Sequence, residues 1–343
     1  MSATRPRVVI VSPALADANN GNWQTAQRWQ QMLAPRCDVR IVREWPDSQA
    51  SPPDDAMLAL HARRSAGSIA RWAKSRPHEA NAPGLAVVLT GTDLYQDILV
   101  DPTAQASLSY GERLVVLQGK APDALPAQFR HKARVIYQST SALPQVEKTP
   151  RHLRAVMVGH LRDEKSPQTL FAAARLLDAS DAVFIDHIGG ALDAALGDAA
   201  RGTAAECPHY RWLGELEHTS VRRHIQRAHV LVHTSRLEGG AHVIMEAVRC
   251  GTPVIASRMD GNVGMLGDDY AGYFDFGDAK QLADLLGRCR AGQLQPESAQ
   301  GHWLAQLRAQ CALRAACFTP EAEGAALHGL MDELLSSPLS SPS

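Results

Sequence analysis

The chain has 343 residues, a formal charge of −1 and 45% hydrophobic residues. That length is too great for one ordinary core and fits two domains of roughly 150 residues each. The near-neutral balance excludes an overall polybasic nucleic-acid or membrane-surface protein, and there is no apolar run of the roughly 18 residues that a membrane span needs.

Taken in chain order, short apolar runs alternate with helical patterns. Val8–Val11 reads as a strand, residues 23–34 as a helix and Val39–Val42 as a second strand. Met57–Leu60 is a strand without a polar face, followed by a helix over 63–75. Ala86–Leu89, Leu114–Leu117 and Arg134–Tyr137 complete the first set. Residues 140–151, with two prolines and mixed charges, break the rhythm and read as a linker. The alternation then restarts with strands at 155–158, 184–188, 210–213, 230–232 and 254–256, and helices at 167–178, 218–228, 241–250, 279–290 and 302–335. Fully apolar strands between helices mean parallel sheets covered on both faces. The expected class is α/β, with two doubly wound, Rossmann-like domains in series facing across a crevice. The six cysteines are scattered without a Cys-x-x-Cys pair, as expected of a reduced, cytoplasmic protein without structural zinc.

In such sheets ligands bind beyond the carboxyl ends of the strands. That rule selects Ser12 onward, His61, Thr90–Asp93, Gln118 and Gln138 in the first half. In the second it selects Gly159-His160, Gly189-Gly190, Gly214-Glu215, His233–Ser235 and Ser257. The richest segment runs from His233 through Glu238, Gly239, Gly240, Ala241, His242 and Glu246 to Gly251 and Pro253. It reads strand, glycine turn, helix, glycine stop, strand. The glycines let backbone N–H groups approach a ligand, and the helix aims its positive end at the same place, which suits a diphosphate. A helical wheel puts Val243, Ile244, Ala247 and Val248 on the buried arc and leaves Glu246 free to accept hydrogen bonds from ribose hydroxyls. Alone, Glu238 and Glu246 are what a solvated loop and helix face supply; the glycines between them and the Gly251-Thr-Pro253 stop argue for a site.

The spacing Glu238-x7-Glu246 followed by Cys250-Gly251-Thr-Pro253 resembles the donor site of GT4-type glycosyltransferases of GT-B architecture. Gly159-His160-Leu161-Arg162-Asp163-Glu164-Lys165 resembles the segment in which that family clamps donor phosphates, and Leu213-Gly214-Glu215 the segment whose backbone holds the base. The family's usual Arg falls at His160, so Arg162 is a candidate for the permanent charge, with Lys165 the stronger phosphate ligand. With the linker read above, this gives a 1–145 acceptor domain, a 151–315 nucleotide-sugar donor domain and a helix at 316–335 expected to pack back on the first domain; the Ser- and Pro-rich tail at 336–343 is expected to be disordered.

Three first-domain segments follow strands and open helices: Asn19-Asn20-Gly21-Asn22-Trp23-Gln24-Thr25, His61-Ala62-Arg63-Arg64-Ser65 and Gly91-Thr92-Asp93-Leu94-Tyr95. Helix N-termini, arginines, hydroxyls and amides are what a small oxyanion needs. With Gly159–Pro167 and Leu237–His242, these segments resemble the selenosugar synthases of selenoneine biosynthesis. That resemblance implies transfer from a UDP-sugar, UDP-N-acetylglucosamine or UDP-glucose, to selenophosphate, giving a selenosugar, UDP and phosphate. The acceptor would then meet Asn20, Gly21, Asn22, Thr25, Arg64, Ser65, Gly91 and Thr92, with His61, Asp93 and Glu238 around the reacting atoms. No Asp-x-Asp or metal-ligand spacing follows a strand, so activity without a metal or other cofactor is expected. Rival readings are transfer to a hydroxyl acceptor, a nucleotide-sugar epimerase and a non-catalytic sensor.

Overall fold

The computed structural model describes residues 5–15, 21–48 and 53–336. It divides into two compact units, Met1–Gln138 with Pro320–Ser343, and Ser139–Thr319.

The first unit runs β1 (Arg7–Val11), α1 (Gly21–Leu33), β2 (Asp38–Val42), β3 (Ala56–Leu60), α2 (Ala66–Lys74), β4 (Ala82–Leu89), α3 (Ile98–Val100), α4 (Pro102–Tyr110), β5 (Gly111–Val116), α5 (Ala121–Ala124) and β6 (Ala133–Val135). Its strands form one sheet in the order β2-β1-β3-β4-β5-β6, every pairing parallel. Successive residues alternate between the two faces. Val9, Val11, Met57, Leu85 and Val87 pack with Ile69 and Trp72 of α2 and Leu108 of α4. Val8, Ile10, Leu58, Leu60 and Val88 pack with Trp29 and Leu33 of α1 on the other face.

The second unit runs β7 (Leu153–Val158), α6 (Pro167–Leu176), β8 (Val183–Ile188), α7 (Ala194–Glu206), β9 (Tyr210–Trp212), α8 (His218–Arg227), β10 (Val230–His233), α9 (His242–Arg249), β11 (Val254–Ser257), α10 (Asp260–Leu266), β12 (Tyr273–Phe274), α11 (Ala279–Leu294) and α12 (Ala299–Arg314). The order β12-β11-β10-β7-β8-β9 is the 3-2-1-4-5-6 arrangement of the dinucleotide-binding folds, reversed in listing. Its switch point, where the strand order reverses, lies between β7 and β10. In the first unit the corresponding point lies between β1 and β3.

The stretch expected to be helical over 302–335 is two helices, α12 and α13 (Pro320–Ser336), separated by a 3-10 turn at Ala315–Phe318. Pro320 lacks the N–H that would continue a helix and opens a new one instead. α13 belongs to the first unit. Its Leu327, Leu330, Met331 and Leu334 complete the face formed by Trp29 and Ile10. Glu323 is buried and accepts from Arg28 Nε at 2.9 Å and Trp29 Nε1 at 2.7 Å. Glu333 accepts from Arg134 and Arg113, and the Arg134 hydrogen bonds lead in holding its carboxyl down at about 2. Of the disordered tail expected at 336–343, Ser336 instead ends α13, and residues 337–343 lie outside the described residues. Helices α4 and α7 were not foreseen; each begins after an aspartate, Asp101 and Asp193, whose carboxylate accepts from first-turn N–H groups.

Candidate active site

The carboxyl ends of β7 and β10 are tied together at the second unit's switch point. Arg236 N–H donates to the Glu164 carbonyl at 2.8 Å, and Thr234 Oγ1 donates to the Lys165 carbonyl at 2.7 Å. Lys165 closes the first turn after β7, and its Nζ lies 2.5 Å from Glu238 Oε1. His233, the last residue of β10, brings Nε2 to 3.4 Å from the same oxygen. Burial opposes ionisation of Glu238, but Lys165 and His233 outweigh it and hold the carboxyl far below the usual range. Glu238 is therefore charged, and its carboxylate partners among the described residues are all side chains. Gly261, at the start of α10, permits this packing: a Cβ there would sit 2.4 Å from the Glu238 carbonyl oxygen.

Three glycine-bearing loops meet beside this pair. Gly189 has φ +151°, and a Cβ on it would lie 2.0 Å from the Gly159 carbonyl, so the two loops approach only because the residue is glycine. Gly189 N–H donates to Gly214 O at 2.7 Å, and Leu213 N–H to His187 O at 2.8 Å. Gly190 N–H donates to His160 Nδ1 at 3.1 Å. A Cβ on Gly190 would meet Glu215 at 3.4 Å and His160 at 3.5 Å. His160, Gly214 and Glu215 are thus gathered into one rim. Arg162 is different: it is exposed, with Nε 3.8 Å from Glu164.

Beyond Glu238, Gly239 and Gly240 lead to Ala241, the N-cap of α9, which has no side-chain oxygen to satisfy the first-turn N–H groups. His242 opens the helix and is half-buried. The buried arc of α9 differs from the helical wheel. Val243 is half-buried, while Met245 and Glu246 join Ile244, Ala247 and Val248 inside. Glu246 is enclosed because α8 packs alongside: His218 Nε2 lies 2.5 Å from Glu246 Oε1, and Arg222 Nε lies 4.0 Å away.

In the first unit, His61 follows β3 at φ +73°, a left-handed conformation uncommon for a non-glycine residue and one that marks functional loops. Its ring is buried. Arg64 N–H faces Nδ1 at 3.4 Å, and Thr92 Oγ1 lies 3.3 Å from Nε2. Burial lowers the pKa, opposed by Asp93, so the ring is neutral near pH 7. Asp93 is buried; its Oδ1 accepts from Thr90 and Gly91 N–H and its Oδ2 from Ala62 N–H, each at 2.9 Å. This carboxylate fastens the loop after β4 to the loop after β3. Arg63 pairs with Asp97 at 3.2 Å, whereas the exposed Arg64 has no side-chain partner among the described residues. Ser65 Oγ donates inward to Leu60 O at 2.6 Å. Thr25 is buried and donates to Gly21 O at 2.8 Å, and Asn22 is half-buried in the first turn of α1. Asn20 lies outside the described residues.

His218, Arg222 and Asn262 were not singled out by sequence. Asn262 Nδ2 donates to Ser257 O at 2.9 Å, bracing the loop after β11. The strand-end rule reaches His233 and Ser257, but nothing in the sequence pattern joins His218 to a glutamate on the next helix. Among the described residues no group of three or more His, Cys, Asp or Glu is placed to hold a metal ion, and no helix is long and apolar enough to cross a membrane.

The strand orders and the loops that close on them agree with known architectures. Sucrose-phosphate synthase from Thermosynechococcus elongatus superposes with a TM-score of 0.75 at 18% identity, over 98% of this chain and 100% of that one. The fold is GT-B. Other GT-B structures match likewise: Anabaena HepE in complex with UDP-glucose (TM-score 0.67, 14% identity, 95% of this chain and 99% of that one), and a glycosyltransferase from Rickettsia africae (0.70, 12%, 97% and 100%). Residues 141–295, most of the second GT-B unit, match the family model of the glycosyl transferases group 1. No curated protein matches the chain.

Proposed function

We propose that the protein is a glycosyltransferase whose second unit holds a UDP-sugar. One observation carries this: at the second unit's switch point Lys165 and Glu238 are paired across β7 and β10, beside the uncapped start of α9 and the glycine loops. Lys165 and the α9 N-terminus supply positive potential for a diphosphate. Glu238 is the hydrogen-bond acceptor for hydroxyls of the donor sugar. Glu246 accepts from ribose hydroxyls, and Leu213, Gly214 and Glu215 flank the base, with His160 at the rim. The glycosyl transferases group 1 match over 141–295 and the UDP-glucose complex of HepE support this reading.

The acceptor is a small anion, and selenophosphate is the candidate given by the motifs. Asp93 spends its carboxylate on three backbone N–H groups, and the neutral His61 is engaged at both ring nitrogens. An acceptor that arrives already anionic needs no base from either. Arg64, next to the α2 N-terminus, supplies its counter-charge. Selenium attacks C1 as the C1–O bond to UDP breaks; UDP departs with the bonding pair, and water then cleaves the Se–P bond to release phosphate. The test is UDP release from UDP-N-acetylglucosamine and UDP-glucose with and without selenophosphate, with mass spectrometry of the products. Selenophosphate-dependent release with a selenium isotope pattern in the sugar product supports the full reading. Release that instead requires a hydroxyl acceptor keeps the glycosyltransferase and discards the selenium acceptor. Conversion of the donor alone to another nucleotide sugar replaces both with an epimerase.

A further inference from the structure

Glu246 is a buried carboxylate whose only hydrogen-bond partner among the described residues is exposed. Its side chain is 6% accessible, that of His218 72%. The nearer permanent cation, Arg222, does not take the oxygen: its Nε stands 4.0 Å away, beyond hydrogen-bond reach, and makes no hydrogen bond there. Arg222 is instead engaged by Ser141, through Oγ at 3.0 Å and through the carbonyl. A buried carboxylate left without a donor is costly, so some partner must hold it in the empty protein. An imidazole swinging in from solvent at the first residue of α8 can do so and can leave without disturbing the fold.

We propose that His218 is a place-holder on Glu246, displaced when the ribose of a nucleotide-sugar donor arrives, so that donor binding releases a proton. The inference rests on the donor reading above and adds a residue to it. The ionisable groups facing the imidazole are Glu246 from α9 and Arg222 from its own helix. The hydrogen bond to Glu246 raises the His218 pKa above its ordinary value, with burial and Arg222 opposing. Below the raised value the ring in the empty protein is charged and paired; once displaced it returns to a pKa near 6.5. The sign follows. Between about pH 6.5 and the raised value, binding expels a proton, and donor affinity increases as pH rises by up to tenfold per pH unit. Above the raised value, and below about 6.5, the dependence flattens.

The experiment is calorimetric titration of the protein with UDP-glucose and UDP-N-acetylglucosamine from pH 6 to 8.5, comparing the wild type with His218→Gln and His218→Ala. UDP itself is avoided because its terminal phosphate titrates in the same range, with a pKa of about 6. At one pH the titration is repeated in two buffers of different ionisation enthalpy. The expected result is a pH slope and a buffer-dependent heat in the wild type, both absent in the two variants, whose affinity below pH 7 is higher. Equal slopes in wild type and variants, or no slope in the wild type, overturn the place-holder while leaving the donor site standing. Absence of UDP-sugar binding in all three proteins overturns the donor reading and this inference with it.

Discussion

Each unit places an acidic residue in a loop at the carboxyl end of its sheet, buried Asp93 after β4 and half-buried Glu238 after β10, and the two are held by different means. Asp93 in the first unit is fastened by three backbone N–H groups. Glu238 in the second is held by the ammonium of Lys165 and the ring of His233. Backbone donors cannot leave without unmaking the loop, so Asp93 is part of the scaffold. Side-chain donors can turn to a ligand, so Glu238 and Lys165 form a pair that a diphosphate and a sugar hydroxyl can divide between them. A carboxylate at the end of a strand is therefore read by what satisfies it, not by its position alone.

Four experiments test that contrast, the largest effect first. Asp93→Ala leaves three N–H groups without an acceptor and should cost about 4 kcal/mol in denaturant unfolding, on the scale of 1–3 kcal/mol per buried unsatisfied group. A loss under about 1 kcal/mol would mean that Asp93 is not scaffold. The second concerns His187, buried on β8 with Nδ1 2.9 Å from the Tyr210 hydroxyl. Burial lowers its pKa from 6.5 to about 4, so the unfolded chain binds more protons across that interval. Stability is fully present above pH 6.5 and falls as pH drops towards 4, by about 3 kcal/mol at 1.36 kcal/mol per pKa unit. His187→Gln should flatten that acid limb, and an unchanged limb would assign the acid sensitivity elsewhere. Third, Glu238→Gln should reduce turnover by about 100-fold, as loss of one placed electrostatic contact does. Its unfolding midpoint should stay closer to the wild type than that of Asp93→Ala; the reverse order of stabilities would erase the distinction between the two loops. Last and smallest, Arg64→Ala should raise the acceptor KM by about tenfold and leave the donor KM alone, consistent with one charge-assisted contact. Equal rises in both would remove Arg64 from the acceptor side.

The sheets were legible because parallel strands buried on both faces are apolar throughout: Ala56–Leu60 is buried at every position. The neighbour order was not, since periodicity says nothing about which strand lies beside which. The glycine loops at 159, 189 and 214 were legible because only the position at a strand end had to be known, and the structure gathers them with His160 and Glu215. The buried state of Glu246 was not, because a wheel drawn on α9 alone cannot include α8. Nor was the Lys165–Glu238 contact, which joins residues 73 apart. The break at Pro320 was present in the sequence but masked by helix-forming residues on both sides.

One consequence of α13 concerns the order in which the molecule is made. Leu327, Leu330, Met331 and Leu334 are part of the first unit's core, and Glu323 is the acceptor for Trp29 Nε1 at 2.7 Å. A ribosome delivers β1 to β6 long before it delivers this helix. Until then the Trp29 face of the sheet lacks its cover, while the second unit, uninterrupted in the chain, can mature in one passage. The portion translated first is the portion finished last, and a message stopped just short of Pro320 would damage the amino-terminal unit and leave the second one whole.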